Sequence, residues 1–581
     1  MSEYLAPLRD MRFVLKHLAA IEEIAQLPGC EDANLELVDH ILEESARFAT
    51  EVLSPLNRVG DQQGSTLKGE EVTTPPGFKE AYKQFIEAGW NSLEFPSEFG
   101  GQDLPKIVAA PVMEMWKSAN MSFSLCPMLS SGAAEALQLC GTPEQKALYI
   151  PKLAEGVWTG TMNLTEPQAG SDLAQIKTRA IPDGDHYRIY GQKIFITYGE
   201  HDLAENIVHL VLARLPDAPA GVKGISMFIV PKFQVNEDGS LGARNDVRCL
   251  SLEHKLGIHA SPTAVMAYGE KDGAVGYLVG LANRGLEYMF VMMNAARFAV
   301  GMEGLSIAER AYQQALGYAR ERVQGRDMET GAQVPIIAHP DVRRMLMRMK
   351  VQTEAMRAVA YVVAAAIDRA THHQDEAVRK EQQAFVDLMI PIVKGWSTET
   401  AIDVASTGVQ VHGGMGFIEE TGAAQHLRDA RITTIYEGTT GIQANDLIGR
   451  KIVRDGGAAA FALAAEIRTV AKECQSITLT QAVDAYEAAV RWILDAHAQD
   501  PKLAYAVSVP FLQMMGTLCG GWQMTRAASV TQRLDSEDEF AKAKQVSAAF
   551  YAATFLTQVP ALFEAMRQGA QSTLMLAEAQ F

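Results

Sequence analysis

Leu164-Thr165-Glu166-Pro167-Gln168-Ala169-Gly170-Ser171-Asp172 stands where the chain changes its period. Before this stretch the text is helical. Leu35, Val38, Ile41, Leu42, Phe48 and Val52 recur at helical spacing with acids between them. Pro96 and Gly100-Gly101 interrupt with a loop. Thr142-Pro143-Glu144 then offers a threonine cap and a proline at the first helical position. After the stretch come short β-branched or aromatic runs such as His186-Tyr187-Arg188-Ile189-Tyr190, residues 207–212 and residues 225–230, separated by Gly, Pro and Asp. They predict an antiparallel β region ending near Gly280. From Gly285 the pattern is helical again, with long amphipathic segments at 305–319 and 342–370 and a further helix running to Ser406. Asp455-Gly456-Gly457 marks a boundary before an alanine-rich helical section. The expected architecture is α+β and mostly helical, in four parts: helices over 1–160, a β domain over 161–280, helices over 281–455 and extra helices over 456–581.

Composition narrows the function. Of 581 residues, 48% are hydrophobic, enough for several packed cores and too many for disorder. A net charge of −18 argues against broad attraction to nucleic acid or an anionic membrane. The apolar run 358–367, closed off by Arg357 and Asp368, is too short to span a bilayer. The opening Met1-Ser2-Glu3-Tyr4 lacks the basic start and apolar core of a signal peptide, so a cytoplasmic protein is expected. Six scattered cysteines without a CxxC predict free thiols rather than a disulfide framework or zinc site. With no GxGxxG and no GxxxxGK[ST], any dinucleotide would bind without a Rossmann or P-loop turn.

Four stretches can carry chemistry. The opening loop, with small side chains, hydroxyls and free backbone N–H groups, could approach a flat polar ring or a phosphate, though alone it reads as a capped turn. Lys193-Ile194-Phe195-Ile196-Thr197-Tyr198-Gly199 reads as a strand with Phe195 and Thr197 on one side, suited to covering a ring face and bonding a ring nitrogen. Alone it is a routine strand. Gln410-Val411-His412-Gly413-Gly414-Met415-Gly416-Phe417 suggests close backbone approach, with His412 read as structural rather than a ligand. Ile435-Tyr436-Glu437-Gly438-Thr439-Thr440-Gly441-Ile442-Gln443 places a carboxylate after two apolar residues, a setting that raises its pKa and suits a general base; alone, a helix-capping acid is the better reading.

In this order the four stretches resemble the acyl-CoA dehydrogenase family over roughly residues 80–450. The most specific matches are Thr165-Glu166-Pro167 with Gly170-Ser171-Asp172, Gln410 with Gly413-Gly414 and Gly416, and Tyr436-Glu437-Gly438-Thr439. The resemblance implies an N-terminal helical domain, a middle β domain and a C-terminal four-helix bundle, with residues 456–581 as an extra domain. It implies FAD lined by Met162, Leu164, Thr165 and Ser171, a flavin face covered by Phe195, and Thr197 near N5. Arg322 would pair with the pyrophosphate. Gln410 and Gly414 would hold the FAD of a neighbouring subunit, and Thr439 would also reach FAD. Ser171, Asn294, Arg297 and Gly438 would meet the acyl-CoA. Glu437 would remove the α-proton, and its backbone N–H together with a ribityl hydroxyl would hold the thioester carbonyl.

Some positions depart from the family pattern: Gln425 stands where a basic residue is usual, Gly441 where Glu or Gln is, Asn294 where Asp is, and Gly325-Arg326 where Phe-Gly is. Members with the base on an earlier helix carry it just before the arginine matching Arg297; here that residue is Ala296, which leaves Glu437. The tail from Gly456 holds 9 Lys and Arg against 12 Asp and Glu, without the basic excess expected of a DNA-linked branch. The opening residues, the Gly438–Ala444 variant and the long tail look like a bacterial subgroup. It includes members acting on 3-(methylthio)propionyl-CoA in dimethylsulfoniopropionate breakdown, and others acting on plain short or medium chains. The expected partners are an acyl-CoA, electron-transfer flavoprotein as acceptor and a second copy in a homodimer, with no nucleic acid, membrane or metal. The rival readings are an acyl-CoA oxidase, a nitroalkane oxidase (which would carry aspartate at the base) and a non-catalytic DNA-associated flavoprotein.

Overall fold

The computed structural model describes residues 4–534 and 537–581, so Met1–Glu3 of the opening lie outside the described residues. The chain divides into two compact units: one holds residues 47–104 and 119–296, the other 1–46, 105–118 and 297–581. Chain order and compact units therefore differ, because the N-terminal segment and residues 105–118 join the later helices.

The first unit is built on an eight-stranded sheet. Its strand order is Val247–Leu252, Thr263–Tyr268, His186–Thr197, Ala274–Leu278, Ile225–Pro231, Asn206–Arg214 and Trp158–Asn163, with Arg179–Asp183 paired to His186–Thr197. The principal pairings are antiparallel except one. Trp158–Asn163 runs parallel to Asn206–Arg214, because the chain leaves it through the 164–172 loop and returns only after a hairpin. Residues 206–213 and all seven of Ile225–Pro231 are buried, the signature of strands covered on both faces. Met121–Cys140 packs on this sheet closely enough that a Cβ on Gly160 would sit 2.4 Å from the Ala133 methyl. The next helix, Pro143–Glu155, starts as its sequence predicts. Thr142 Oγ1 accepts the Gln145 N–H at 3.2 Å, and Gln145 Oε1 accepts the Thr142 N–H at 3.1 Å.

The second unit is helical apart from a small hairpin, Val323–Arg326 with Gln333–Pro335. Its long members are Pro340–His372, Glu376–Pro391 and Ser397–His412, with Gly285–Glu321 contributing from Arg297 onward. A five-residue π-helical turn, Ile392–Trp396, joins the second to the third. The C-terminal helices Ser508–Thr531 and Glu539–Thr554 pack on these. Gly516 and Gly520 make room for the buried Trp396; a Cβ on Gly516 would lie 2.1 Å from the indole. A buried charge cluster ties the two chain ends to the bundle. Arg357 meets Asp10, Glu114 and Glu309, each at 2.6 Å, while Lys544 meets Asp10 at 2.5 Å and Glu354 at 3.0 Å.

One helical stretch among the described residues, Glu539–Thr573, is long and apolar enough to cross a membrane by length and composition. Its Lys544 is buried in that cluster, so its first half is held within the bundle. The six cysteines are free.

Candidate active site

In the sheet-bearing unit the loop and the strand singled out in the sequence come together. The Ile194 N–H donates to the Thr165 carbonyl at 2.9 Å, and Lys193 Nζ donates to the Leu164 carbonyl at 3.0 Å. Beneath the loop lies a group the sequence reading missed. The buried Glu166 carboxylate accepts from Lys193 Nζ (2.8 Å), Thr178 Oγ1 (2.6 Å), the Thr178 and Lys177 N–H groups (3.1 and 2.7 Å) and Gln168 Nε2 (2.6 Å). Burial would push this carboxyl up, but Lys193 and these donors outweigh burial and hold it at about 2. Burial lowers Lys193 itself to about 8. The loop is thus anchored from below, with Met162 buried, Leu164 and Thr165 partly so, and Ser171 open.

The strand is not the regular one expected. Ile196 pairs with Ala264 and Lys193 with Met266, so Ile194 and Phe195 oppose Val265 alone. This is a β-bulge, and Phe195 carries the left-handed φ of +60° that a glycine usually takes. The bulge leaves the Phe195 ring 59% exposed, with Thr197 two residues on and partly buried. An aromatic ring held outward on a strained backbone beside a hydroxyl-lined loop is a platform for a flat ring. Asn294 is exposed.

In the helical unit, Glu437 sits in a turn between the helices Ala423–Thr433 and Thr440–Asp446. Its φ is +54° and that of Gly438 is +85°. The second position suits glycine because L side chains rarely adopt its φ, and a Cβ there would also press on the Gln443 amide. Gln443 Nε2 donates to the Glu437 carbonyl at 3.1 Å, and Lys394 Nζ donates to the Gly438 carbonyl at 2.7 Å. Thr439 caps the next helix by accepting the Ile442 N–H, and Thr440 Oγ1 donates to Glu399 at 2.5 Å. Tyr436 donates its hydroxyl to Glu303, which is buried and paired with Lys117 at 3.2 Å.

These contacts fix the turn and leave its chemistry free. Among the described residues neither the Glu437 carboxylate nor its backbone N–H has a hydrogen-bond partner. Burial pushes the Glu437 carboxyl up to about 7, against the pull of Arg297 and Lys394 and with the push of Glu303. Arg297 is 5% exposed, faces Asp446 at 3.6 Å and has a buried Nε without a partner. A half-buried carboxylate poised near neutrality beside an open N–H can take a proton from a carbon whose neighbouring carbonyl that N–H holds.

The remaining expected positions also lie in the helical unit. Gln410 and Gly414 are exposed, and a Cβ on Gly413 or Gly414 would meet nothing within 4 Å, which leaves room for another molecule against the backbone. Arg322 is exposed and its guanidinium has no partner among the described residues. His412 is structural: it is buried, stacks on Tyr318 at 4.5 Å and bonds the Gly408 carbonyl through Nδ1 at 2.7 Å. Gln425, where a basic residue was usual, is buried. Within the sheet-bearing unit the outward Phe195 ring suits an aromatic ring system; within the helical unit the open glycines suit close backbone approach and the unpaired Arg322 suits a phosphate.

Comparison with known proteins agrees with these features. Profiles described as acyl-CoA dehydrogenase N-terminal, middle and C-terminal domains match residues 38–157, 161–268 and 283–452. One described as acetyl-CoA dehydrogenase C-terminal like matches 462–577. The chain is 51% identical to the 3-methylmercaptopropionyl-CoA dehydrogenase of Ruegeria pomeroyi, over 96% of this chain and 97% of the relative. It is 33% identical to a butyryl-CoA dehydrogenase of Syntrophomonas wolfei, over 100% and 99%. In fold it is similar to an acyl-CoA dehydrogenase from Bacillus anthracis solved with FAD, with a TM-score of 0.74, 21% identity, and 97% and 95% of the two chains covered. The chain belongs to the acyl-CoA dehydrogenase family and is an FAD-dependent oxidoreductase of acyl-CoA thioesters.

Proposed function

We propose that the enzyme converts 3-(methylthio)propionyl-CoA to 3-(methylthio)acryloyl-CoA, with Glu437 as the base. The observation that carries the substrate is the 51% identity to a dehydrogenase of that thioester across nearly the whole of both chains. The α-C–H of a thioester is a very weak acid. Glu437 answers this in two ways: burial raises its proton affinity, and its own N–H is free to hold the thioester carbonyl as charge builds there. FAD, when bound, accepts the β-hydrogen as hydride. Met162, Leu164, Thr165, Ser171, Phe195 and Thr197 would line the flavin, and Arg322 its pyrophosphate. Thr439 would reach FAD from the catalytic turn, and Gln410 and Gly414 from the neighbouring subunit. Ser171, Asn294 and Gly438 would meet the acyl-CoA, and Arg297 would face it from beside Glu437.

We further propose electron-transfer flavoprotein as the acceptor, a cytoplasmic setting and a homodimer. Phe417 and Met328, each more than 80% exposed, offer apolar surface for a second copy. A second substrate reading is favoured by the likeness to a butyryl-CoA dehydrogenase. Sulfur replaces a methylene at similar volume, and a pocket separates such isosteres by only about 1–3 kcal/mol. Butyryl- and valeryl-CoA should therefore also react. Measuring kcat/KM over a panel of acyl-CoAs with an artificial acceptor tests this: a maximum at long chains would overturn the substrate while leaving the dehydrogenation standing.

A further inference from the structure

We propose that Lys394 is the positioning residue of the catalytic turn: its ammonium pins the Gly438 carbonyl and so holds Glu437 in its left-handed backbone. The inference rests on the reading of Glu437 as the base.

Lys394 is completely buried, and its ammonium donates to a main-chain carbonyl rather than to a carboxylate. It forms no ion pair among the described residues. That is an unusual end for a buried ammonium, which is costly to desolvate and normally meets a carboxylate directly. The compensation is electrostatic and comes from three acids that face it without bonding it: Glu437, Glu303 and Glu399, with Arg297 opposing. Burial lowers its proton affinity to about 8, so it remains a cation at neutral pH.

The backbone holds the side chain in place. Lys394 is the middle residue of the π-helical turn Ile392–Trp396, a local widening of the helix often found at functional positions. Two residues on, Trp396 is locked under Gly516, so the turn cannot rotate the lysine away. Lys394 takes the Gly438 carbonyl from one side while Gln443 takes the Glu437 carbonyl. Two consecutive carbonyls are thereby fixed, and the Glu437 N–H and carboxylate are left free. A non-glycine residue with positive φ keeps that conformation only when its surroundings impose it.

Charge adds a second effect. The charged groups facing Glu437 are Arg297 and Glu303 from the helix Gly285–Glu321, and Lys394 from the π turn. Arg297 is shared with Asp446, and Glu303 is engaged by Lys117 and Tyr436. Arg297 exerts the stronger pull on Glu437 and Lys394 the next, and Lys394 is the one that also holds the turn, so its removal both frees the Gly438 carbonyl and raises the proton affinity of Glu437. Since the base must be ionised, that removal moves the acidic limb of the pH profile upward.

The test uses full-length, FAD-loaded Lys394→Met, Lys394→Gln and Lys394→Arg, with Glu437→Gln in parallel. Flavin content is checked first, and kcat and KM for butyryl-CoA are then read across pH. Lys394→Met should lower kcat at neutral pH by about tenfold to hundredfold with KM little changed. It should also shift the acidic limb of kcat/KM upward by about one unit. Lys394→Gln, which keeps a donor without charge, should recover part of kcat but not the limb, and Lys394→Arg should return the limb. If Lys394→Met does not fold, the Gln and Arg limbs carry the same comparison. Limbs at the wild-type position in the neutral variants would overturn the proposal even where stability falls. Full turnover in Glu437→Gln would instead overturn the base assignment. An inactive Glu437→Gln with unmoved Lys394 limbs would sink the Lys394 inference alone.

Discussion

Two glutamates, Glu166 buried and Glu437 half-buried, each near glycine, threonine and an aromatic or proline, have opposite fates in this enzyme. Glu166 has five donors around its carboxylate and is held down at about 2. Glu437 has no donor on its carboxylate among the described residues and is pushed up to about 7. Burial pushes both upward, so the difference lies in hydrogen bonding and in whether a cation touches the carboxylate or only faces it. A satisfied carboxylate is an anchor, whereas one left unsatisfied in a fixed turn is available to take a proton.

The pH dependence of stability follows with opposite signs. Glu166 binds protons less readily folded than unfolded. Its stabilisation is present above its ordinary value near 4.5 and is lost as pH falls towards 2. Glu437 binds protons more readily when folded. Its ionisation therefore destabilises progressively as pH rises from about 4.5 through about 7, and costs nothing in acid.

The largest effect on stability should come from breaking the anchor. Lys193→Met leaves Glu166 buried without its cation and should cost about 3–5 kcal/mol, read by denaturant unfolding, with loss of bound flavin. A loss below about 1 kcal/mol would mean that the backbone donors alone suffice. Glu437→Gln should do the reverse, raising stability by about 1–3 kcal/mol at pH 8 and leaving it unchanged near pH 4. Destabilisation at pH 8 would show that the carboxylate is satisfied after all. The smallest effect belongs to the bulge: Phe195→Gly should stabilise flavin-free protein by about 1 kcal/mol by relieving the left-handed backbone, while weakening flavin binding.

Much of this was legible in the chain. The Thr142 cap, the change of period near residue 160 and the structural His412 rest on local patterns, and the structure contains each of them. The turn at Glu437 was singled out by its apolar neighbours and by family resemblance. What escaped were pairs made at long range. Lys193 and Glu166 are 27 residues apart, and Lys394 and Gly438 are 44 apart. A lysine inside an apolar strand or helix signals only that some partner exists, not which one. The bulge at Phe195 escaped because nothing in an alternating strand marks where an extra residue is inserted. The parallel pairing of Trp158–Asn163 with Asn206–Arg214 depends on a connection that periodicity does not record.

The central claim is that Glu437 removes the α-proton, and single-turnover flavin reduction tests it most directly. FAD-loaded wild type and Glu437→Gln, with equal flavin content, are mixed anaerobically with 3-(methylthio)propionyl-CoA or butyryl-CoA and the loss of flavin absorbance is followed. Reduction in the variant should be slower by about 10²–10⁴-fold. Reduction at the wild-type rate would contradict the account.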